Sequence, residues 1–198
     1  MPLEEHQIRR YARQILLPEV GGRGQQALLD HGAAFPGDGG MADSVALAYL
    51  AAGGSPVRVP PGRRASGFLF DMAGAIDSVL QDFNPDAARD PPAMGLLAEL
   101  PAQLGGPAPW VVMGWTSSGR GGLLYRTAGG CAACFSETAA RHFDSPRPSP
   151  AASVALGALG ALAFQRCTLG LSDPLGGLWL EASGAVTRLQ PARCEQHR

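Results

Sequence analysis

Two short pairs of metal-binding residue types constrain this 198-residue chain more than any other feature. The stretch "CAAC" separates Cys131 from Cys134 by two residues, and "CEQH" separates Cys194 from His197 by the same gap. Three thiolates and an imidazole at such paired spacing are typical of a zinc knuckle, in which Zn²⁺ is held in a closed tetrahedral site. We therefore predict a structural zinc site that ties the C-terminal end to the rest of the fold. The alternative is a set of reduced buried cysteines followed by a disordered "EQHR" tail.

The charge of the chain argues against a nucleic-acid partner. The formal net charge is -1 and the charges are scattered, so neither a basic face for nucleic acid nor an acidic tail is indicated. All 16 basic residues are arginines, which excludes any mechanism that needs a lysine to hold phosphate or to form a Schiff base.

The opening residues and the hydrophobicity predict a cytoplasmic protein with no membrane partner. The stretch "MPLEEHQIRRYARQ" is charged and amphipathic, unlike a secretory signal, and no apolar run is free enough of glycine and polar residues to span a bilayer. Cysteines in the cytoplasm are more often metal ligands or buried thiols than disulfides. With 45% hydrophobic residues the chain can bury one sizeable core, so we predict a single domain over 1–198.

Hydrophobic periodicity predicts an alternation of helices and strands. A helix is predicted from Glu4 to Leu17, where Ile8, Tyr11 and Ile15 share one face, and a short helix then ends at Gly32. The stretch "AAFPGDGGMADSVALAYLAAGG" has the order strand, turn, helix. Further along we predict strands in "PVRV", "PWVVMGW" and "GGLLYRT", helices in "DMAGAIDSVLQDF" and "ASVALGALGALAFQRCTLG", and a hairpin in "GLWLEASGAVTRLQ" with "ASGA" as its turn.

Several of these segments resemble the ThiF/MoeB/HesA group, the prokaryotic relatives of ubiquitin-activating (E1) enzymes. The opening "RYARQILLPEVGGRGQQALL" is the most specific match, while "GDGGMADSVALAYLAAGG" resembles the group's nucleotide loop and "LQDFNPD" the end of its next helix. The stretch "GGCAACF" resembles the first half of its zinc knuckle, and "DPLGGLWLEASGAVTRLQPARC" its terminal hairpin.

The resemblance implies an α/β fold, namely a Rossmann-like domain of the E1/ThiF type. Such a domain has N-terminal helices, a mostly parallel central sheet and a C-terminal antiparallel hairpin tied by a zinc knuckle. Residues 1–32 would form the N-terminal helical segment, 33–130 a reduced nucleotide-binding core, and 131–198 the zinc-knuckle and hairpin part. Members of the group bind ATP and Mg²⁺, adenylate the C-terminal glycine of a ubiquitin-like or sulfur-carrier protein, and work as dimers. Their knuckle has CxxC at both places, so His197 stands where the group has a cysteine.

Gly37, Gly39 and Gly40 are what remains of the nucleotide loop that the resemblance implies. Glycines in that loop let backbone N–H groups approach phosphates at a helix N-terminus, although the pattern alone is also that of a tight strand-to-helix turn. Asp38 and Asp43 place carboxylates where the triphosphate would approach, and like charges there oppose ATP binding.

Other residues that the group uses for chemistry are missing from this chain. Pro60 and Pro61 stand where an acidic residue would bind the ribose hydroxyls, and no lysine is present to hold a phosphate. No strand carries the group's Thr-Asp-Asn, and Asp90 lies in a different sequence context from its Mg²⁺-binding aspartate. The segment "SPRPSP" has no cysteine for covalent transfer. The resemblance therefore implies structural zinc but gives no basis for ATP and Mg²⁺ binding in this chain, unless Arg63 and Arg64 act as replacement phosphate ligands.

Arg13 matches a residue that in the group reaches across the dimer to the ATP phosphates of the other subunit. A guanidinium suits this role because it presents a rigid fork of donors to phosphate oxygens. The alternative is an exposed helix arginine that pairs with Glu4 or Glu5. Its neighbour Arg10 is assigned a structural role.

The remaining candidate residues are interpreted as structural. Cys167 lies in an apolar helix and is predicted to be a small core residue. The serine pair in "GWTSSGR" is predicted to be a turn, since no base is placed to activate a nucleophile. The histidines outside the knuckle have no partner pattern and are predicted to be surface residues, namely His6, His31 and His142.

Together these features predict a catalytically degenerate subunit. It would pair with an active adenylyltransferase homologue and support ATP-dependent activation of a ubiquitin-like or sulfur-carrier protein or of a peptide C-terminus, with Arg13 acting in trans. Whether the dimer with a ThiF/MoeB-like subunit is a homodimer or a heterodimer stays open. Two alternatives stay open from the sequence. One is a non-enzymatic binding module for a ubiquitin-like carrier protein, and the other is an active adenylyltransferase with a non-standard ATP site.

Overall fold

The computed structural model describes residues 3–34, 41–58, 109–143 and 150–197. Several sequence predictions lie outside these residues. They are the glycine loop of Gly37, Gly39 and Gly40 with Asp38, the prolines Pro60 and Pro61, the arginines Arg63 and Arg64, the helix predicted from 71 to 83, and Asp90.

The N-terminal segment is built from three short helices, α1 (Glu5–Arg10), α2 (Ala12–Ile15) and α3 (Gly21–Asp30). The prediction of one continuous helix from 4 to 17 is wrong at Tyr11, where φ is -100° and ψ is 15°. The chain turns there because the Tyr11 ring enters the core and is only 2% exposed. Gly54 makes room for it, since a Cβ at Gly54 would lie 2.9 Å from the Cζ atom of Tyr11.

A parallel strand pair joined by a helix follows. Strand β1 (Ala33–Ala34) pairs in parallel with β2 (Val57–Arg58), and helix α4 (Met41–Ala52) lies between them in the chain. A helical crossover between neighbouring parallel strands is the unit from which Rossmann-like folds are made. The predicted strand, helix and second strand are confirmed, while the predicted turn before the helix lies outside the described residues.

The larger sheet has four antiparallel strands in the order β3 (Trp110–Trp115), β4 (Gly121–Arg126), β5 (Leu175–Leu180) and β6 (Val186–Leu189). The predicted C-terminal hairpin is confirmed, because Glu181 and Ala185 are hydrogen-bonded across the turn between β5 and β6. Within the described ranges only β1 and β2 pair in parallel, so a mostly parallel central sheet stays a prediction.

Two further helices cover the two faces of this sheet. Helix α5 (Ala132–His142) follows β4 and was not predicted, whereas α6 (Pro150–Thr168) matches the predicted apolar helix. Val111, Met113 and Leu123 pack towards α4 and α6, while Val112 and Leu124 pack towards α5. Because both faces are covered, β3 is buried along its whole length and appears in the sequence as a continuous apolar run. In the part of the chain that the structure describes, no helix has the length and apolarity needed to cross a membrane.

Close packing of α4 against α6 depends on Gly157. A Cβ at this position would lie 2.4 Å from the carbonyl oxygen of Ala42, and backbone atoms cannot move aside as a flexible side chain can. We expect Gly157→Ala to lower the free energy of unfolding by about 1–3 kcal/mol, the usual cost of overpacking a core. Thermal or denaturant unfolding followed by circular dichroism measures it.

Gly22→Ala is the matched control for this substitution. Gly22 also lies in a helix, but a Cβ there would meet nothing within 4 Å. Because alanine favours helix more than glycine, this variant is expected to be unchanged or more stable by up to about 1 kcal/mol. A Gly157→Ala protein as stable as the Gly22→Ala protein would contradict the packing argument.

Candidate functional site

Cys131 and Cys134 are placed by the start of helix α5. Cys131 is the N-cap residue, and its carbonyl oxygen accepts a hydrogen bond of 3.1 Å from the N–H of Phe135. Cys134 lies in the first turn and is buried, with 5% of its surface exposed. A two-residue gap across a helix N-terminus brings two side chains to the same side of the turn, so this local fold turns the sulfurs of a CxxC towards one point.

Cys194 and His197 are placed by a single turn of 3₁₀-helix, Glu195–His197, that follows strand β6. The N–H of His197 donates to the carbonyl oxygen of Cys194 over 2.9 Å, which closes the turn. Cys194 is buried, while His197 is exposed. In the second ligand pair, the sulfur of Cys194 is therefore buried and the imidazole of His197 lies at the surface.

The structure brings the four predicted ligand residues together. Their ligand atoms all lie within 4.8 Å of one another. The Cys131 and Cys194 sulfurs are 3.9 Å apart, and the Nδ1 atom of His197 lies 3.5 Å from the Cys134 sulfur and 3.3 Å from the Cys194 sulfur. All four cysteines of the chain are free thiols.

These separations match those expected around a tetrahedral metal ion. With metal–sulfur and metal–nitrogen distances of about 2.3 and 2.0–2.1 Å, zinc would hold two sulfurs about 3.8 Å apart and a sulfur about 3.5 Å from a nitrogen. A disulfide would need sulfurs about 2.0 Å apart, well below the observed separation. The cluster can therefore bind a metal such as zinc, and its four ligands would complete the coordination of a structural ion.

Backbone donors at the cluster favour the thiolate form that binds metals. The pKa of the Cys131 thiol is lowered from its usual value, chiefly because the backbone N–H of Cys134 donates to its sulfur. The backbone N–H of Cys194 donates to the Cys134 sulfur over 3.3 Å, which lowers the pKa of Cys134. Burial and the neighbouring thiols outweigh this donor, so the pKa of Cys134 is raised overall. A metal ion would replace the proton of the Cys134 thiol. Because acid favours the protonated thiol, metal affinity would fall at low pH.

Thr138 makes a second link between α5 and the C-terminal segment, one that sequence reasoning missed. Its hydroxyl donates to the carbonyl oxygen of Cys134 over 2.6 Å and accepts from the N–H of Ala192 over 2.8 Å. The side chain is fully buried. A threonine four residues after a ligand can bond back along its own helix, but nothing in the sequence shows that it also meets the chain 54 residues later.

Arg13 lies on α2 and is exposed. The carboxylates proposed as its alternative partners have other partners, since Glu5 pairs with Arg9 and Glu4 lies 3.2 Å from His6. Arg13 is exposed, as the alternative predicts, but within the described ranges it forms no ion pair with Glu4 or Glu5. Its role in trans stays a prediction. The Arg10 guanidinium stacks 5.8 Å from the centre of the Tyr11 ring, as a structural role predicts.

The described part of the nucleotide-loop region begins at helix α4. Asp43 lies in the first turn of this helix and is buried, with 8% of its surface exposed. A carboxylate there is favoured by the positive end of the helix dipole. The loop that precedes the helix lies outside the described residues, so the vestigial role of its glycines stays a prediction.

The other candidate residues are mostly placed as predicted. Cys167 is a core residue, and burial raises the pKa of its thiol. Ser117 and Ser118 lie in an exposed turn. His6 and His31 are exposed as predicted, while His142 is half-buried. Its ring packs edge-on against Trp179, 5.4 Å between ring centres, and its pKa is lowered chiefly by burial.

Solved structures that resemble this chain share most of its length. E. coli MccB solved with AMPCPP and MccA has a TM-score of 0.62 and 16% identity, over 96% of this chain and 73% of that chain. PaaA has a TM-score of 0.61 and 14% identity, over 95% and 74%. The microcin C7 biosynthetic enzyme MccB with N-formylated MccA has a TM-score of 0.59 and 14% identity, over 100% and 76%.

These likenesses decide the fold. The chain has the fold of MccB. At 14–16% identity the comparison reaches no further than the fold, and it supports the ThiF/MoeB-like resemblance at that level. No protein-family model matches the sequence, and no curated protein matches it.

Proposed function

We propose that this chain is a non-catalytic E1-like subunit. It pairs with an active adenylyltransferase homologue and supports ATP-dependent activation of a peptide or carrier-protein C-terminus. The observation that carries the proposal is the combination of an E1-like fold with a sequence that has no lysine at all. A chain that keeps the scaffold but lacks the phosphate-binding lysine of the group is suited to supporting the chemistry of another subunit.

Among the substrate classes left open by the sequence, a peptide is favoured. MccB was solved with the peptide MccA, both with AMPCPP and in the N-formylated form. We carry only the class of ligand from those enzymes to this chain. The complex formed with the active subunit would act on the end of a peptide rather than on a nucleic acid.

A groove beside the N-terminal helices is the surface that we assign to pairing. It is a cavity of about 470 Å³ between α2, α3, α4 and α6, and Leu17, Tyr49 and Leu171 lie along it. These side chains are 50%, 56% and 37% exposed, and contiguous exposed apolar surface of this kind marks interaction sites. Gln14 also lines the groove, and Arg13 precedes it on α2. A subunit seated in this groove, which we call the pairing groove, would be within reach of Arg13.

Two measurements on the zinc-loaded chain test the proposal. Calorimetry with Mg-ATP is expected to show no binding by the chain alone, and binding at an affinity of about 1 μM would contradict a degenerate site. Affinity purification from the native host, followed by mass spectrometry, is expected to recover an E1-like subunit in stoichiometric amount. Recovery of only a small β-grasp carrier protein would favour the binding-module alternative.

Leu17→Glu is expected to weaken the pairing because it replaces an apolar contact side chain of the groove with a carboxylate that must lose its water when the other subunit binds. Removing water from a carboxylate is costly, so the dissociation constant of the complex should rise by at least about tenfold. Val186→Glu is the matched control, since Val186 is 48% exposed on β6 and does not line the groove. Analytical ultracentrifugation of both variants with the purified active subunit gives the two constants. Equal constants would show that the groove is not the pairing surface.

A further inference from the structure

A second cavity lies between α6 and strands β4, β5 and β6. Its volume is about 250 Å³, and it shares no residue with the four-residue metal cluster. Sites for drug-sized ligands and cofactors usually measure about 300–1,000 Å³, so this cavity suits a single amino-acid residue or a short acid. We call it the α6–sheet cleft.

The inner wall of the α6–sheet cleft is apolar. Leu159 on α6 and Leu178 on β5 are partly buried and pack against the main core, while Leu189 on β6 is 1% exposed. Pro191 extends this wall just after β6. A ligand that enters the cleft would bury an aliphatic body against these side chains, which is favourable by about 25 cal/mol per Å² of apolar surface.

The mouth of the cleft carries two arginines and one aspartate. Arg188 lies 3.6 Å from Asp173, and their side chains are 76% and 67% exposed. An exposed pair of this kind contributes little, so the Arg188 guanidinium can exchange partners at small cost. Arg166 donates one N–H to the carbonyl oxygen of Leu171 over 2.8 Å, which uses one of its five donors. Two positive charges and one negative charge leave a formal charge of +1 at the mouth.

Tyr125 adds a hydroxyl at the same place. It lies opposite Gly176 across strands β4 and β5, and a Cβ at Gly176 would lie 2.5 Å from the tyrosine oxygen. The absence of a side chain at Gly176 therefore lets the ring lie across β5 and brings its hydroxyl to the cleft. Burial, followed by the nearby Asp173 carboxylate, raises the pKa of Tyr125, so the hydroxyl stays protonated and can donate.

We propose that the α6–sheet cleft binds a small carboxylate with an aliphatic body, held by Arg166, Arg188 and the Tyr125 hydroxyl. A guanidinium and a phenol donate to carboxylate oxygens, while the leucines receive the aliphatic part. A monoanion balances the charge of +1, whereas a phosphate dianion would leave an excess negative charge. Such a group is supplied either by the last residue of a peptide or by a free aliphatic acid. This ligand site belongs to the chain itself and does not depend on ATP, although Arg166 also lines the pairing groove on the other side of α6.

Calorimetry on the zinc-loaded chain tests the cleft with three probes. They are the peptide acetyl-Ala-Ala-Leu with a free carboxylate, the same peptide as its C-terminal amide, and 4-methylpentanoate. We expect saturable binding of the free-acid peptide and affinity at least about tenfold weaker for the amide, because the amide cannot pair with the guanidinium groups. If 4-methylpentanoate binds as tightly as the peptide, the cleft takes a free acid; if the peptide binds tighter, it takes a chain terminus.

Substitutions in the chain give the second half of the test. Arg166→Gln, Arg188→Gln and Tyr125→Phe are each expected to weaken free-acid binding, by about tenfold for the arginines and less for the hydroxyl. Arg141→Gln is the matched control, since Arg141 is an exposed arginine on α5, pairs with Glu137, and does not line the cleft. Circular dichroism verifies the fold of each variant. Equal binding of acid and amide, or no binding of either acid at about 10 mM, overturns the proposal.

Discussion

Cys134→Ser is expected to release the metal from the cluster and to lower the stability of the chain more than the Gly157→Ala change in the core does. The wild-type chain should contain one zinc ion, measured by mass spectrometry of metals, and the variant none. Structural zinc contributes folding free energy of about 10–16 kcal/mol in zinc-finger peptides, which have almost no other core. This chain also has two hydrophobic clusters, so we expect a smaller loss, of at least about 3 kcal/mol. For a protein of this length that corresponds to a fall of roughly 6–12 °C in the melting temperature.

Two control variants separate the metal from other effects of the substitution. Cys167→Ser changes the one cysteine outside the cluster and should keep a full zinc content. His197→Cys should keep it too, because a thiolate is as good a zinc ligand as an imidazole. A wild-type chain that purifies without metal, and that melts at the same temperature with added zinc or with a chelator, would overturn the assignment of the cluster.

Arg13→Ala is expected to slow adenylation in a reconstituted complex by at least about 100-fold, without changing the stability of the chain. An arginine supplied by one subunit to the phosphates of another acts on charge that develops in the transition state, and such residues contribute factors of about 10³–10⁵ in phosphoryl-transfer enzymes. Adenylation transfers a nucleotidyl group, so we expect a smaller factor for Arg13. The measurement is pyrophosphate exchange by the complex at saturating ATP.

Arg9→Ala is the control for this experiment. Arg9 is exposed on the preceding helix and pairs with Glu5, and its replacement removes the same charge. An Arg13→Ala complex that keeps the rate of the Arg9→Ala complex would exclude the action of Arg13 in trans. The fold and the zinc content would be unaffected by that outcome, which separates the pairing proposal from the metal assignment.

The sequence predicted the features that depend on residue type and on short spacing along the chain. The CxxC and CxxH pairs predicted a cluster because metal coordination needs fixed residue types at short gaps. The apolar helix α6 and the hairpin of β5 and β6 were predicted because their periodicities are long or are bounded by clear turn residues.

The features that the sequence did not predict have a common physical cause, which is long-range packing. Tyr11 fits the apolar face of a continuous helix, but the helix breaks because the ring is buried beside Gly54, which lies far along the chain. Helix α5 carries Cys134, Phe135 and Thr138 on its buried side. This amphipathic pattern was missed because the CxxC was interpreted only as a metal-binding pair. Propensity and spacing describe neighbouring residues, whereas these packing contacts join residues that are far apart in the sequence.

The α6–sheet cleft was missed for the same reason. Tyr125, Arg166 and Arg188 come from three separate segments, namely β4, α6 and β6. No spacing along the chain relates them, and only the pairing of β4 with β5 and the packing of α6 bring them to one place.

The position of the metal cluster has a consequence for the order of events in folding. Strands β4 and β5 are neighbours in the sheet, yet α5 and α6 lie between them in the chain. Cys131 follows β4 and Cys194 follows β6, so the cluster closes a loop that contains both helices and the hairpin. Closing a loop lowers the entropy of the chain, and this cost grows slowly with loop length. The cost comes before distant strands can form their stabilising contacts. An ion bound first by one of the two ligand pairs, and then by the other, would hold the ends of this loop together and shorten the search of β5 for its place beside β4.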